Sequence, residues 1–548
     1  MLSEKYKKFS EWIIYQIYPR SFYDTNGDGI GDLNGITQKA DHLAELGVNA
    51  VWLCPCYKSP NVDNGYDVAD YYNIMDEFGT LEDWKTMRDA LKARGIKIIM
   101  DLVPNHTSDK HEWFEKSKRK EFPYTDFYYW SDEPWNDWQS CFGGSAWQYC
   151  PERGQYYLHS YAIGQPDLNF ENPAVRDEIK KIIDFWISMG VDGFRIDVID
   201  QISKDWAGDR NCFGKHLHEY IRELFGREST DKIFTVGECW AEDIDEVVRH
   251  CAEERKELSS LFQFDHFQHG RTGRFTPAPF SLKEIANDLS RWQTLTEEND
   301  LLYTLFTDNH DQPRFLSRFG NDQDLRYESA TMFAGMFYLQ KGIPFIYQGQ
   351  EFGTTNSYHE KFEDFRDVEN VDYYERNPEN LSDEDLIDRI NFGSRDNSRR
   401  PISWNGDKFG GFSSAQPWIP LYSRYKEINL EADKAAEKSV FAFYKKLLAF
   451  RKTTPTILYG AYCDITGGNE NCYLYERSLN QEKYVVVCNF EKENDISLPY
   501  ENVEFVFGNY LDRSLESSVN CSLANSRQEK NKDGKYRPYE LAVYKVKI

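Results

Sequence analysis

Short apolar segments that end on acidic or histidine residues recur along the first two thirds of this chain, and amphipathic segments separate them. The clearest is 191–199, in which Phe194 and Ile196 alternate with Arg195 and Asp197. This alternation predicts a β-strand whose polar residues emerge at its carboxyl end. Strands that alternate with helices in this way favour an α/β fold with a parallel sheet.

Eight such segments can be placed, which is the number that closes a (β/α)8 TIM barrel. Acidic residues end several of them, as expected at the catalytic face of such a barrel. Residues 33–46 are expected to form one amphipathic helix after the first strand. We expect the strands at residues 12–18, 48–53, 96–101, 191–197, 233–238, 262–265, 302–306 and 342–347.

Two parts of the chain interrupt the alternation. Residues 107–171 are rich in Trp, Tyr and Gly and show no helical period, and a connection of this length should fold as a small domain inserted after strand three. From about residue 467 short alternating segments without helices predict an antiparallel β domain. We therefore expect a barrel domain at 1–106 and 172–466, an inserted domain at 107–171 and a C-terminal β-sandwich domain at 467–548.

The net charge of −26 argues against nucleic acid and against an anionic membrane as partners. The chain opens on a polar run, and no stretch approaches a membrane span. Its eleven cysteines are scattered, which favours reduced thiols in a cytoplasmic protein. We expect a monomer, and the aromatic content of 16% is compatible with a sugar substrate.

The loop from Asp24 to Asp32 alternates oxygen side chains with glycines. Oxygen donors at loop positions one, three, five and nine, with Gly29 at six, match the front half of a calcium loop. Gly35 stands where a helix-flanked calcium loop has its glutamate, so a sensor site is excluded. A glycine-rich turn with acidic residues is the alternative. We expect a structural Ca²⁺ site, or Mg²⁺ where calcium is scarce, on the side chains of Asp24, Asn26, Asp28 and Asp32.

Carboxylates on different predicted strands are joined by histidines and an arginine. An isolated arginine–aspartate pair is usually structural, but several acidic strand ends together favour catalysis. No cysteine–histidine cluster suggests a transition metal, and no serine lies in a nucleophile elbow. Paired carboxylates suit the cleavage of a glycosidic bond, in which one protonates the leaving oxygen and another stabilises a cationic sugar. The residues concerned are Asp197, Glu238, Asp311, His106, His310 and Arg195.

These motifs resemble those of glycoside hydrolase family 13, the α-amylase superfamily, and within it the oligo-1,6-glucosidase and α-glucosidase branch. The resemblance spans nearly the whole chain, and its motifs occur in the expected order. They are Asp-Leu-Val-Pro-Asn-His at 101–106, Gln-Pro-Asp-Leu-Asn at 165–169, Gly-Phe-Arg-Ile-Asp at 193–197, Val-Gly-Glu at 236–238, Thr-Asp-Asn-His-Asp at 307–311 and Arg-Asp-Asn-Ser-Arg at 395–399.

The resemblance implies a retaining double displacement with Asp197 as nucleophile and Glu238 as general acid and base. Asp311 would hold the distorted sugar. Arg195 should keep Asp197 ionised, whereas Glu238 must stay protonated near neutral pH and therefore needs a desolvated or negatively charged surrounding. A retaining pair predicts about 5–5.5 Å between the two carboxyl groups.

The resemblance also implies the contacts to one terminal glucose. The two histidines would bind its hydroxyls, Tyr66 would stack beneath it, and Asp67 would pair with an arginine of the 395–399 loop, Arg395 in preference to Arg399, to close the pocket. The calcium loop of this branch adds the carbonyl of Ile30 to the ion ligands. The full set of expected substrate contacts is Tyr66, Asp67, His106, Phe142, Gln165, Arg195, Val198, His310, Arg395 and Arg399.

The residue after the nucleophile bears on the linkage that is cleaved. Val198 is branched, and within the branch that the chain resembles a valine here goes with α-1,6 preference and a smaller residue with α-1,4 activity. This implies an exo-acting oligo-1,6-glucosidase. Cys239 and Trp240 depart from the usual pattern, and Trp240 could reshape the leaving-group site. Trehalose-6-phosphate hydrolase, α-1,4-glucosidase or sucrase, and sucrose isomerase stay open; a non-catalytic amylase-like interaction protein is disfavoured by the complete triad.

Overall fold

The computed structural model describes residues 4–241, 243–377, 379–510 and 535–547. Its centre is a sheet of eight parallel strands in the order β6-β5-β4-β3-β2-β1-β8-β7. The strands are short and buried on both faces, which explains their nearly continuous apolar runs. They are β1 (Ile14–Ile17), β2 (Ala50–Leu53), β3 (Lys97–Leu102), β4 (Gly193–Ile196), β5 (Phe234–Gly237), β6 (Ser260–Leu261), β7 (Thr304–Leu305) and β8 (Ile343–Tyr347).

The barrel closes between β6 and β7, the two ends of this order. The Ser260 hydroxyl donates to the Leu302 carbonyl at 2.7 Å, and the Thr304 hydroxyl donates to the Leu261 carbonyl at 3.2 Å. Side chains therefore bridge the seam. The sequence placed β6 at 262–265, which is wrong: the chain already turns there into a short 3-10 helix, Asp265–Phe267, and its aromatic residues pack in the core.

Each strand is followed by a helix that packs on the barrel, which confirms the predicted (β/α)8 fold. Most of these helices bury one apolar face, whereas Arg326–Tyr338 is buried on nearly all sides. The expected single helix at 33–46 is instead two, because Lys39 (φ −96°, ψ 8°) leaves the helical region. Among the described helices, none has the length and apolar character needed to cross a membrane. The barrel helices are α1 (Ala40–Leu46), α2 (Leu81–Lys92), α3 (Pro173–Ser188), α4 (Leu217–Phe225), α5 (Ile244–Cys251), α6 (Leu282–Glu298), α7 (Arg326–Tyr338) and α8 (Val440–Thr453).

Shorter elements decorate the barrel. Helix Val368–Arg376 matters for the site, because it carries acidic residues to the pocket rim. The other short helices are Glu4–Phe9, Leu33–Gln38, Phe315–Phe319, Asp383–Gly393, Asp396–Arg399, Leu430–Ala435 and Pro455–Tyr459, and the short strand pairs are Tyr57–Lys58 with Asp70–Ile74 and Arg271–Gly273 with Thr276–Pro277.

The insertion after β3 contains a three-stranded antiparallel sheet of Trp130–Ser131, Gln155–Leu158 and Trp147–Cys150. It also contains the helix Glu112–Lys118, which was not predicted from the sequence. This helix is only seven residues long, too short to show a period, but it buries Trp113 and Phe114 on one face.

The C-terminal part of the chain forms a five-stranded antiparallel sheet. One face carries its own apolar cluster, and the other joins the barrel core. A Cβ on Gly335 of α7 would lie 2.2 Å from Leu541, which shows how closely the sheet approaches that helix. The predicted antiparallel domain is confirmed, but within the described residues it is one sheet packed on barrel helices, not a sandwich. The predicted domain boundaries stay a prediction. From one edge of the sheet to the other, the strands are Ala461–Asp464, Cys472–Leu479, Glu482–Asn489, Leu541–Val546 and Val503–Gly508.

Candidate active site

Three carboxylates from different strands line one pocket at the carboxyl ends of the barrel strands. Asp197 directly follows β4, Glu238 directly follows β5, and Asp311 lies in the loop after β7. The pocket volume of about 260 Å³ is below the roughly 300–1,000 Å³ of a typical drug-sized ligand site. It is lined by Asp63, Tyr66, His106, Cys141, Phe142, Tyr161, Asp197, Val198, Glu238, Trp240, Phe264, Arg274, Asn309, Asp311, Gln312, Glu369 and Arg395.

Arg195 connects the carboxylates of three neighbouring strands. Its Nη1 donates to Asp197 Oδ1 at 2.7 Å and to Asp101 Oδ1 at 2.9 Å, and its Nη2 donates to Glu238 Oε2. The guanidinium is 3% exposed, so these are interactions in a low dielectric. Arg195 was expected to act on Asp197 and on the substrate; the structure shows that it also fixes the position of Glu238.

Burial dominates the proton affinity of the two central carboxyl groups. It raises the pKa of Glu238 to about 8 and that of Asp197 to about 7, although Arg195 acts against both shifts. The negative charges of Asp197 and Asp311 raise the pKa of Glu238 further. Both carboxyl groups therefore hold a proton more tightly than usual, and the higher pKa belongs to Glu238, the expected general acid.

Val198 adopts an unusual backbone conformation between the nucleophile and the next helix. Its φ of 34° and ψ of 52° lie in the left-handed region, which a β-branched residue rarely enters. Strain of this kind costs about 1–3 kcal/mol and occurs preferentially at functional sites. The valine is 5% exposed and lines the pocket. From the sequence, only the branched shape of this side chain and its link to α-1,6 preference could be considered, and nothing indicated the strain.

Asp311 is held ionised by basic neighbours. Burial opposes ionisation, but His310, Arg399 and Arg395 hold the pKa of Asp311 well below its usual range. Arg399 Nη2 lies 2.9 Å from Asp311 Oδ1, and His310 Nε2 lies 3.0 Å from Oδ2. The ring of Tyr66 stacks on His310 with 8° between the planes. These five predicted residues are brought together, with His310 and Arg399 behind the pocket wall rather than in it.

His106 and Gln165 meet on the side of the insertion. Gln165 Nε2 lies 3.2 Å from His106 Nε2 and donates to Asp63 Oδ2 at 3.2 Å. Burial lowers the pKa of His106 and of His310 to about 4, so both rings are neutral. His106 lines the pocket, whereas the two ring nitrogens of His310 already contact Gln16, Tyr66 and Asp311.

The predicted pairing of Asp67 with the 395–399 loop is wrong. Asp67 instead accepts hydrogen bonds from the Ser59 hydroxyl and from the amides of Val62 and Asp63, and it orders the turn. Asp63, four residues earlier, accepts from Arg395 Nη2 at 3.2 Å and lines the pocket. The loop was identified correctly, but its φ values decide which aspartate points inward, and Asn64 and Gly65 both have positive φ.

The acidic residues that fix Arg395 could not be identified from the sequence. Asp367 accepts from Arg395 and Arg399 at 2.8 Å each, and Glu369 lies 3.5 Å from Arg395 and 3.2 Å from Arg274. These residues belong to a segment between predicted elements that no motif singled out. The network closes one side of the pocket and includes the stack of Arg395 on Phe142, 5.1 Å from the ring centroid.

At the mouth of the pocket, Trp240 stacks on Phe264 with centroids 4.6 Å apart and remains 43% exposed. Nearby, Arg271 and Arg274 both donate to the Gln312 side-chain oxygen, at 3.3 and 3.4 Å. Burial and then Arg274 lower the pKa of Arg271 to about 10, and burial and then Arg271 and Arg274 lower that of Arg318 to about 9. Trp240, Phe264 and Arg274 thus line this end of the pocket, and Arg271 and Arg318 lie near Arg274 without lining it.

The expected ion loop lies at the surface, away from these residues. Gly27 and Gly29 have φ of 78° and 90°, which gives the tight turn that such a loop needs. The Asp24 carboxylate accepts from the amides of Asn26, Gly27 and Gly29, and Asp32 caps the helix Leu33–Gln38. The oxygen donors suit a hard cation, although the carboxylates do not converge within 4.8 Å.

Comparisons with known proteins agree with this geometry. A family model described as alpha amylase, catalytic domain, matches residues 16–460. The oligo-1,6-glucosidase of Parageobacillus thermoglucosidasius is 42% identical to this chain over an alignment 573 positions long. The alignment covers 98% of this chain and 99% of that protein. The crystal structure of Bacillus licheniformis trehalose-6-phosphate hydrolase superposes on this chain with a TM-score of 0.90 at 37% sequence identity. The crystal structure of Erwinia rhapontici NX5 isomaltulose synthase superposes with a TM-score of 0.90 at 36% sequence identity. Each superposition covers 98% of this chain and 99% of the chain compared.

Proposed function

Because this chain belongs to the α-amylase family of glycoside hydrolases, we propose that it is a retaining, exo-acting α-glucosidase of the oligo-1,6-glucosidase type. Its substrates are isomalto-oligosaccharides and related short α-glucosides, from which it removes the terminal α-1,6-linked glucose. The observation that carries this proposal is the small pocket that holds Asp197, Glu238 and Asp311 and is bordered by the Asp63–Arg395 ion pair.

In this mechanism Asp197 attacks the anomeric carbon while Glu238 donates its proton to the leaving oxygen. The product is a glycosyl-enzyme. Glu238, now ionised, takes a proton from water, and the resulting hydroxide equivalent releases glucose and regenerates Asp197. Arg195 supports the negative charge of Asp197 before attack and that of Glu238 after proton transfer, because it contacts both. Asp311 holds the sugar hydroxyls.

Exo action follows from the ion pairs that border the pocket. Arg395 bonds Asp63 from one loop, Asp311 from a second and Asp367 from a third. These bonds fix a charged border where an open cleft would admit further sugar units. Val198, which lines the pocket beside the nucleophile, supports the preference for the α-1,6 bond, whose extra methylene changes the approach of the second sugar.

The test is hydrolysis of a panel that contains isomaltose, panose, maltose, sucrose, trehalose and trehalose 6-phosphate, with the products identified. We expect the highest kcat/KM on isomaltose and panose, glucose as the released sugar and initial retention of the α-configuration. Equal rates on maltose and isomaltose would contradict the linkage assignment. A rearranged disaccharide from sucrose would identify an isomerase instead.

The group of Arg271, Arg274 and Arg318 favours trehalose-6-phosphate hydrolase as a second candidate. In a chain with a net charge of −26, this local positive charge near the pocket mouth suits a phosphate. Arg274 also donates to the Asp311 carbonyl at 2.6 Å, so its substitution would disturb both activities. Arg271 has no such contact with the triad among the described residues, which makes it the discriminating position.

Arg271→Gln should therefore lower kcat/KM for trehalose 6-phosphate and leave isomaltose hydrolysis unchanged if the second candidate is correct. Arg119→Gln, at an exposed arginine of the insertion, is the matched control for the loss of one positive charge. If isomaltose is the better substrate and Arg271→Gln has no effect on it, the first candidate stands.

We further propose that the loop with Asp24, Asn26, Asp28, the Ile30 carbonyl and Asp32 binds Ca²⁺, or Mg²⁺ in its place. The ion would neutralise three carboxylates and tie the loop to the Ser413 hydroxyl, which already donates to Asp24. It supplies stability and takes no part in the chemistry. A cytoplasmic location and a monomeric state complete the proposal, which the net charge and the scattered cysteines support.

A further inference from the structure

Two histidines and a glutamate meet between α4 and α5, the helices on either side of β5, outside the pocket. His218 comes from α4, and Glu246 and His250 come from α5. One ligand atom of each lies within 4.8 Å of the other two. It is the one group of three potential metal-binding side chains of this kind in the part of the chain that the structure describes.

Two of the three distances within the group match a coordination shell. Glu246 Oε1 lies 3.4 Å from His218 Nε2 and 3.3 Å from His250 Nδ1. Zinc–nitrogen and zinc–oxygen bonds of about 2.0–2.2 Å in a tetrahedron place neighbouring ligand atoms about 3.3 Å apart. Glu246 and His250 are four residues apart, so one face of α5 presents both. Little movement is needed to bring the three atoms onto one ion.

The surroundings hold the ligands in place. The other nitrogen of His218, Nδ1, lies 2.8 Å from Glu257 Oε2, and Glu257 is fully buried and bonded to Arg255. A carboxylate behind a histidine is the usual outer support of a metal ligand, because it fixes the tautomer and the ring orientation. Glu246 Oε1 is buried, and no donor among the described residues reaches it with hydrogen-bond geometry.

We propose that His218, Glu246 and His250 bind one transition-metal ion, with Zn²⁺ as the occupant. Two imidazole nitrogens and one carboxylate oxygen form a donor set that zinc accepts and that Ca²⁺, which prefers oxygen, does not. Side-chain exposures of 22% for His218 and 13% for Glu246 let water complete the shell. The ion links the helices that flank the strand carrying Glu238, and it stabilises this part of the barrel without entering the reaction.

An ion pair is the competing explanation. A protonated His218 between Glu246 and Glu257 needs no metal, and His250 Nδ1 can then donate to the Glu246 carbonyl, which is 2.9 Å away. Metal binding to His250 would replace that bond. The two explanations make different predictions for metal binding. Only the metal site requires His218, Glu246 and His250 together for the binding of one added ion.

The test is a titration of the chelator-treated full chain with Co²⁺, a visible-light probe for zinc sites, in the presence of excess Ca²⁺ to fill the surface loop. Cys141→Ser and Cys463→Ser are present in every protein, because these exposed thiols could bind the probe. We expect one equivalent of cobalt with the intense absorption of a four-coordinate ion. His218→Gln and Glu246→Gln should lose this band, and Glu257→Gln should weaken binding about 10–100-fold.

His216→Gln is the matched control. This histidine immediately precedes α4, is 42% exposed and pairs with Glu219, so it resembles His218 without belonging to the group. It should bind cobalt like the parent. Zn²⁺ should also raise the Tm of the parent and of His216→Gln but not that of His218→Gln. A parent without the four-coordinate band, or a His218→Gln variant with unchanged affinity and Tm shift, would establish the ion pair and overturn the proposal.

Discussion

Replacing Val198 by alanine tests the assignment of linkage specificity at the residue next to the nucleophile. Val198→Ala removes two methyl groups from the pocket wall beside Asp197 and Glu238. The second sugar of an α-1,4 substrate approaches at an angle that the branched side chain obstructs. We therefore expect maltose turnover to rise and isomaltose turnover to change little.

The size of the effect can be bounded from the size of the change. One or two methylene-sized groups in a pocket discriminate substrates by about 1–3 kcal/mol, or roughly 10–200-fold in kcat/KM. The ratio of isomaltose to maltose kcat/KM should fall by a factor in this range. Most of the change should be in kcat for maltose, because the obstruction bears on the transition-state geometry.

Stability gives an independent check on the strain at this position. Loss of two buried methyl groups costs about 1.6 kcal/mol at about 0.8 kcal/mol each. Alanine keeps a Cβ in the left-handed region, so only the part of the strain that comes from β-branching is released. This release offsets part of the cost, so Val198→Ala should lose less Tm than a valine-to-alanine change at an unstrained buried position. Val236→Ala is the matched control, since Val236 is fully buried in the extended strand β5 and has no strain to release.

The assay is initial-rate hydrolysis of isomaltose and maltose by parent, Val198→Ala and Val236→Ala, with thermal melts of all three. Val236→Ala should be clearly less stable and keep the parent substrate ratio. An unchanged ratio in Val198→Ala would refute the steric argument. A Tm loss as large as that of Val236→Ala would refute the argument from strain, whatever the substrate ratio.

Further predictions concern the triad, the acidity of the site, the pocket border and the ion loop. Asp197→Asn and Glu238→Gln should each lower turnover by several orders of magnitude with the fold intact, and a substrate with an activated leaving group should partly rescue only Glu238→Gln; near-normal activity of Asp197→Asn would remove it as nucleophile. The plot of kcat/KM against pH should be a narrow bell, because ionisation of Glu238 near pH 8 removes the acid and protonation of Asp197 near pH 7 removes the nucleophile. The two limbs of the bell belong to the coupled pair. A basic limb that persists in Glu238→Gln on the activated substrate would contradict the assignment. Asp63→Asn should raise KM for isomaltose far more than Asp67→Asn does, because Asp63 bonds Arg395. Circular dichroism would check that both variants fold. Equal effects on KM would favour a purely structural role for both residues. A chelator should lower the Tm of the parent but not of Asp28→Asn, and a chelator-insensitive parent would remove calcium from the loop.

Much of the barrel could be predicted because its strands are fully buried and their apolar runs are interrupted at the carboxyl ends by polar residues. The triad followed for the same reason: Asp197 and Glu238 are the first residues beyond β4 and β5. The parallel arrangement brings such positions to one rim. The weakest strand, β6, was misplaced by two residues, because the aromatic residues that follow it are as apolar as the strand itself.

The parts that could not be predicted depend on loop conformation. Asp63 and Asp67 are both acidic residues in one loop, and only the positive φ of Asn64 and Gly65 between them determines which faces Arg395. Asp367 and Glu369 lie between the motifs at 307–311 and 395–399 and belong to neither, and no periodicity connects them with the pocket. The strain at Val198 was equally hidden, since valine is a common strand residue.

The site combines features that each oppose stability, and the pH dependence of unfolding should reveal their cost. The pKa values of Asp197 and Glu238 in the folded chain, about 7 and about 8, lie above the values near 4 expected in the unfolded chain. Folding therefore favours the protonated groups: their contribution to stability is complete below about pH 4 and is lost as the pH rises through 7 to 8. The parent should lose Tm between pH 5 and pH 8.5, whereas Asp197→Asn, which cannot ionise, should lose less over the same interval. If both proteins lost Tm equally, burial would not raise the pKa of Asp197. Arg195 would then hold Asp197 ionised at every pH at which the protein folds.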